Sequence, residues 1–208
     1  MGKDINEFVM NCSVCQRNKT GRRLSRPWVK FPQTSRLKTI HVDIVGPFPP
    51  SPTGKRYILT MIDRFTRWME AVPLASISAE IIAKQFFSTW VSRYGVPEAI
   101  VSDQGTQFES FIFNRMLSFL GIKRFRTTAY HPQANGLIER AHSTLKNSLR
   151  CLVGRSADWE TALPVAMMAI RSAFNELNTS PALLLFGEPM SLPSSLLSNE
   201  SSYDEKDC

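Results

Sequence analysis

With 208 residues, 43% of them hydrophobic, the chain is long enough to bury one sizeable core with flanking pieces left over. Its formal net charge of +7 and pI near 9.5 point to an anionic partner. No apolar run reaches the length of a membrane span and no signal-peptide pattern is present, while four scattered cysteines make no disulfide framework. These features lead us to expect a soluble, intracellular protein with no membrane partner.

The basic excess is concentrated at one end. Residues 1–40 hold nine Lys/Arg against two acidic residues, and residues 191–208 hold one against four. Residues 1–16 read as the end of a small module closing on Cys12-x-x-Cys15, and 17–37 as a basic linker. From residue 38 the pattern changes. Ile40, Val42 and Ile44 alternate with His41, Asp43 and Val45, a strand signal that stops at Gly46-Pro47. Two further strands, Arg56 to Asp63 and Trp68 to Leu74, follow closely enough to form a meander. Ser78 caps an apolar-periodic helix that ends near Gly95.

Ala99-Ile100-Val101 is a short buried strand, followed by one helix over about 108–120 and a strand near 122–126. Thr127 to Gly136 reads as a loop. A long helix then runs to about Val153, another spans 157 to 175, and Ser180-Pro181 opens a last one ending at Gly187. Residues 38–190 thus form the core domain, with a Ser-rich acidic tail over 191–208 expected to be disordered. The order implies an α/β fold: a five-stranded mixed sheet with helices on both faces.

Three acids stand out by placement. Asp43 lies mid-strand, Asp103 just past a short buried strand, and Glu139 near the start of the long helix. Carboxylates converging from separate rigid elements are what two-metal phosphoryl transfer requires, and hard oxygen ligands suit Mg²⁺ or Mn²⁺. Each acid also has a bland alternative: a solvent-facing strand residue, a turn residue before Gln104-Gly105, and a favourable charge on a helix dipole.

The surrounding words resemble a family. His41-Val-Asp43-Ile-Val-Gly-Pro, Ile62-Asp-Arg-Phe-Thr-Arg-Trp68, Ser102-Asp-Gln-Gly-Thr-Gln-Phe108 and Tyr130-His-Pro-Gln-Ala-Asn-Gly-Leu-Ile-Glu-Arg140 are similar to the integrase cores of retroviruses and Ty3/gypsy-type LTR retrotransposons. The 35 residues between Asp103 and Glu139 match that family's D,D-35-E spacing. The resemblance implies an RNase H-like fold, with Asp43, Asp103 and Glu139 as catalytic ligands of two Mg²⁺ (or Mn²⁺) ions. It further implies 3′-end processing of double-stranded DNA, strand transfer into a target duplex, homo-oligomerisation, and work in the nucleus. No nucleotide cofactor is expected, and no G-x-x-x-x-G-K-[ST] motif is present.

Along the long helix, Glu139, Ser143, Lys146 and Arg150 fall on one face, and Ile138, Ala141, Leu145, Leu149 and Leu152 on the other. A cationic ladder leading away from Glu139 suits a phosphate backbone, the alternative being a solvated helix face. By resemblance, Lys146, Thr106 and the loop residues Tyr130, Gln133 and Asn135 are DNA contacts, and Gly136 is a hinge. Asp63 reads as structural, and His131 and His142 as polar neighbours. Cys12 and Cys15 resemble half of an HHCC zinc module, but His41 is the first histidine, so Zn²⁺ binding by this chain is not expected. Three functions remain open: a DNA-joining enzyme, a host-retained DNA- or protein-binding remnant without catalysis, or a general RNase H-type nuclease.

Overall fold

The computed structural model describes residues 35–126, 132–153, 158–175 and 178–192, with the backbone alone described over 132–137. The expectations for 1–16, for most of the 17–37 linker and for nearly all of the 191–208 tail therefore lie outside the described residues.

Three antiparallel strands open the fold: β1 (Thr39–Val45), β2 (Tyr57–Asp63) and β3 (Met69–Leu74). Gly46 ends β1 at φ 144, and a Cβ there would sit 2.8 Å from the Arg56 carbonyl oxygen, so only glycine fits. Helix α1 covers 79–94 as three contiguous stretches, Ala79–Phe86, a π-turn over Phe87–Val91, and Ser92–Tyr94. The Ser78 side chain accepts from Ile81 N as the expected cap. β4 (Ala99–Ser102) follows and pairs parallel to β1.

The single helix expected over 108–120 is two. α2 (Thr106–Glu109) stops at Ser110, whose extended backbone (ψ 150) breaks the run and whose Oγ caps α3 (Phe111–Phe119) at Phe113 N. β5 (Lys123–Arg126) pairs parallel to β4, completing a sheet of order β3-β2-β1-β4-β5. α4 (Pro132–Val153) begins earlier than expected, so Gly136 lies inside a helix rather than in a loop. Proline at the helix start accounts for this: its fixed φ suits the first turn, where no amide donor is needed. α5 (Trp159–Ser172) and α6 (Pro181–Phe186) are capped by Asp158 and Ser180.

Strand alternation divides the interior into two layers, one on each face of the sheet. Ile40, Val42, Leu59 and Met61 pack with Phe86, Trp90, Phe108, Phe113 and Leu185 of α1, α2, α3 and α6. Ile58, Ile62 and Met69 pack with Leu145, Leu149, Trp159, Leu163 and Met167 of α4 and α5. Helices thus cover both faces, as expected. One stripe residue departs: Leu152 is exposed, and Val153 packs in its place. Leu145 and Leu149 are buried and Val153 is partly buried against the same layer. The end of the expected linker is seated on the core, with Arg36 Nη1 donating to Leu185 O at 2.6 Å and Leu37 N to Asp63 Oδ1 at 3.1 Å.

Candidate active site

The parallel register of β1 and β4 pairs Thr39 with Ala99 and His41 with Val101. Carried two residues further, past the end of β4, it brings Asp43 of β1 near Asp103, which adds to the rise of the Asp43 pKa. Asp43 lies on the sheet face that α4 covers, opposite Thr60 of β2. Its Oδ1 accepts from Ile44 N at 2.7 Å. Burial pushes its carboxyl up to about 6, with neighbouring Asp103 adding to the rise, while the Ile44 amide and Lys146 oppose it. Asp103 is exposed, and its Oδ1 accepts from Gly105 N at 2.9 Å. A Cβ at Gly105 would sit 3.0 Å from that same oxygen and 2.3 Å from the Gln107 side-chain amide, so a larger residue would require the Gln107 side chain to move.

Each acid has a scaffold that the sequence did not reveal. Thr60 Oγ1 donates to Asp43 O at 3.1 Å and lies 2.9 Å from His142 Nε2, while His142 Nδ1 stands 3.8 Å from Asp43 Oδ2. Because the Thr60 hydroxyl spends its proton on Asp43 O, His142 Nε2 is the donor to Thr60 and Nδ1 carries the lone pair. Burial, and secondarily Lys146, lowers the His142 pKa to about 4, so its imidazole is neutral at pH 7 and the 3.8 Å approach is a polar contact, not a salt bridge. His142, read only as a polar neighbour, therefore braces Asp43. Asp103 is braced by Arg124 of β5, which donates to Asp103 O at 3.1 Å, Ser102 Oγ at 3.1 Å, Asn114 Oδ1 at 3.3 Å and Glu109 Oε1 at 2.9 Å. No local pattern marks either brace, since their members are 10 to 82 residues apart.

Glu139 is exposed on α4, one turn before His142. Asp43 and Asp103 are thus neighbours, but among the described residues no three His, Cys, Asp or Glu side chains are grouped closely enough to hold a metal ion. The donor chemistry nevertheless suits a hard cation. Asp43, half-buried, and Asp103 are two carboxylates close enough that the second adds to the rise at the first, and carboxylate oxygens are the donors such a cation takes. Asp63, by contrast, is wholly buried, accepting from Thr66 N at 2.8 Å and Thr66 Oγ1 at 2.7 Å, a structural role as expected.

Of the expected DNA contacts, Thr106 begins α2 and is exposed. Lys146, Arg150, Glu139 and Ser143 are all exposed along one side of α4, opposite buried Ile138, Leu145 and Leu149. Gln133 and Asn135 fall in the opening turns of α4 by backbone. Tyr130, His131, Cys12 and Cys15 lie outside the described residues. No described helix is long and apolar enough to cross a membrane.

Comparison with known proteins bears on the fold and the family likeness. Residues 33–132 match the family described as Integrase core domain. The chain is 31% identical over 197 residues to the retrovirus-related Pol polyprotein from transposon 412 of Drosophila melanogaster, covering 93% of this chain and 16% of that protein. It is 29% identical over 212 residues to the Pol polyprotein of feline endogenous virus ECE1, covering 99% and 20%. The chain therefore spans a fifth or less of the length of these relatives. Among solved structures, the simian T-cell lymphotropic virus intasome in complex with PP2A regulatory subunit B56 gamma matches with TM-score 0.67 at 17% identity, covering 93% of this chain and 71% of that one. The catalytic core domain of BIV integrase matches with TM-score 0.61 at 21% identity, covering 80% and 99%. The HTLV-2 integrase catalytic core domain in complex with magnesium matches with TM-score 0.59 at 17% identity, covering 72% and 96%. These likenesses fix the fold as the RNase H-like core.

Proposed function

From the match of residues 33–132 to the integrase core family, we propose that this chain is the catalytic core of a DNA-joining enzyme, a polynucleotidyl transferase acting on double-stranded DNA. The observation that supports the reading is the placement of Asp43 within β1 near Asp103, which follows the end of the parallel neighbour β4 and adds to the rise of the Asp43 pKa, with α4 crossing the same face and approaching Asp43 through His142. Asp43 and Asp103 would hold the metal, with Glu139 as the third carboxylate. Two bound Mg²⁺ or Mn²⁺ ions would supply Lewis-acid activation of the attacking oxygen and neutralise charge on the phosphate.

The chain's own residues do the positioning. Thr60 holds the Asp43 backbone carbonyl and His142, the Ile44 amide holds the Asp43 carboxylate, and Arg124 holds the Asp103 corner. Lys146 and Arg150 line the exposed side of α4 for a DNA backbone, with Thr106, Tyr130, Gln133 and Asn135 as further contacts. In the first step a water oxygen forms a bond to a phosphorus near the 3′ end of the DNA, the P–O3′ bond breaks, and a free 3′-hydroxyl is left. In the second, that hydroxyl attacks a target phosphodiester and a new 3′-hydroxyl leaves. One phosphodiester replaces another, so joining needs no nucleotide cofactor. Such an enzyme would meet its target in the nucleus and would pair DNA ends by self-association. We assign residues 38–190 to this core, 1–16 to the end of a zinc module and 17–37 to a basic arm.

A strand-transfer assay with Mg²⁺ or Mn²⁺ and a duplex bearing a recessed 3′ end tests the proposal. Joined product is expected, with Asp103→Asn reducing it by at least a hundredfold while DNA retention persists. DNA retention by the parent chain without joined product would instead identify a binding remnant.

A further inference from the structure

The end of α2 and the edge strand β5 meet in a cluster of charges that the chemistry above uses only in part. Glu109, the last residue of α2, follows fully buried Phe108 and precedes Ser110, the cap of α3, so its backbone is anchored on both sides. Its carboxylate takes two arginines of β5 at once. Oε1 accepts from Arg126 Nε and Oε2 from Arg126 Nη2, both at 2.8 Å, a forked pair, while Oε1 also accepts from Arg124 Nη2 at 2.9 Å. Arg126 and then Arg124 lower the Glu109 carboxyl to about 2, so it is charged at neutral pH.

Arg124 is the cation that bears on the acids. Its side chain is 8% exposed, and the same Nη2 that meets Glu109 lies 3.1 Å from the Asp103 carbonyl oxygen. Its Nε and Nη1 are committed to Ser102 Oγ and Asn114 Oδ1, and Asn114 is itself fixed by donating to Ser110 O at 2.9 Å. A guanidinium thus stands against the backbone of the residue whose carboxylate a bound cation needs. Guanidinium pairs more strongly with a carboxylate than with a carbonyl, and Asp103 offers one on the same residue. Glu109 supplies a carboxylate in its stead, to Arg124 and to the more exposed Arg126 together.

We propose that Glu109 is a positioning residue for the metal site: by holding Arg124 and Arg126 it keeps both guanidiniums off the Asp103 carboxylate and leaves that carboxylate to a divalent cation. This rests on the reading of the chain as a DNA-joining enzyme and names a residue that tunes its cation affinity. Two effects act in the same direction. Glu109 places a negative charge one guanidinium away from Asp103, and neutralising it frees two positive charges to compete for that acid. Both effects lie near solvent, so both fade as salt is raised. A part in folding alone predicts neither, because an exposed ion pair adds little to stability.

The test is Mn²⁺ binding by the whole chain without DNA, read from the electron paramagnetic resonance of free Mn²⁺ across a salt series. Glu109→Gln, which keeps the shape and an accepting oxygen, is expected to weaken Mn²⁺ binding about three- to tenfold at low salt, the gap narrowing as salt rises. Arg126→Gln, which leaves Glu109 wholly to Arg124, is expected to bind Mn²⁺ as tightly as the parent or more so. Glu98 pairs with Lys38 at 2.8 Å just before β4, at the end of that strand away from Asp103, and Glu98→Gln is the control for loss of charge alone. Its affinity is expected to stay within about twofold of the parent. Melting in EDTA, unchanged from the parent, verifies the fold of each variant. Parent-like Mn²⁺ affinity in Glu109→Gln, or an equal loss in Glu98→Gln, would overturn the role of Glu109 and leave the enzyme reading intact. Should Glu109→Gln melt early, Arg126→Gln decides by its opposite sign, and weakened Mn²⁺ binding there overturns the proposal. A parent chain that neither takes up Mn²⁺ nor joins DNA would overturn both.

Discussion

Asp43 is held in a place that disfavours its own charge. Burial is the larger cause and Asp103 adds to it, raising the carboxyl from 3.8 to about 6. The folded state therefore holds this proton more tightly than the unfolded chain. No stability is forfeited below about pH 4, and it is lost as pH rises from there through about 6. Asp43→Asn removes the charge and keeps an oxygen to accept from Ile44 N. In EDTA at pH 7 the variant is expected to be more stable than the parent by about 1–2 kcal/mol, the gain vanishing near pH 4. Adding Mn²⁺ should raise the melting temperature of the parent and not of the variant. Equal or lower stability of Asp43→Asn at pH 7, measured by calorimetry, would show that the charge is compensated within the protein. The identity of this acid was legible because Asp43 sits in a recognisable run. His142 and Thr60 were not legible, since a contact spanning 82 residues leaves no local periodicity.

At the scale of elements, α4 joins stability to chemistry. One side carries Glu139, Ser143, Lys146 and Arg150 in solvent, and the other buries Ile138, Leu145 and Leu149 against the sheet. Both stripes follow from 3.6-residue periodicity, so the sequence showed them. The start of the helix was misread because Asn135-Gly136 is a turn signal, and the tertiary seat of α4 overrides a local cost of about 1 kcal/mol for helical glycine. Leu145 is fully buried among Ile58, Ile62 and Trp159. Leu145→Ala is expected to cost about 2–5 kcal/mol in urea unfolding, since the cavity lies between a helix and a sheet that relax little. Amide exchange should rise first in α4 and α5, with α1 and α3 across the sheet still protected. Uniform acceleration in both layers would show that the two helical layers open together. Lys146→Ala, on the exposed side, should leave the unfolding midpoint in place.

For the whole molecule, one sheet serves as a shared wall between two helical layers, and its central strands β1 and β4 deliver the acids to its edge. The five strands and the helices on both faces were readable from alternation and element order; the central place of β1 and β4 was not. The braces around the acids depend on which strands become neighbours, and only the closed topology decides that. Charge is distributed on a different plan from the core. Nine Lys/Arg lie in residues 1–40, ahead of most of the sheet, whereas α4 presents Lys146 near Asp43 and Arg150 further along the same exposed side. The first group suits backbone contact without sequence reading, and the second suits positioning at the reacting phosphate. Neutralising Arg22, Arg23 and Arg26 to Gln is therefore expected to flatten the salt dependence of duplex binding by up to about 0.9 per lost contact, and to leave the melting temperature unchanged. At low salt, joining by this variant should approach that of the parent, because added affinity from the remaining cations replaces what the arm supplied. Joining that stays low at every salt concentration, with binding restored, would mean instead that the arm shapes the reacting complex and does more than hold DNA near it.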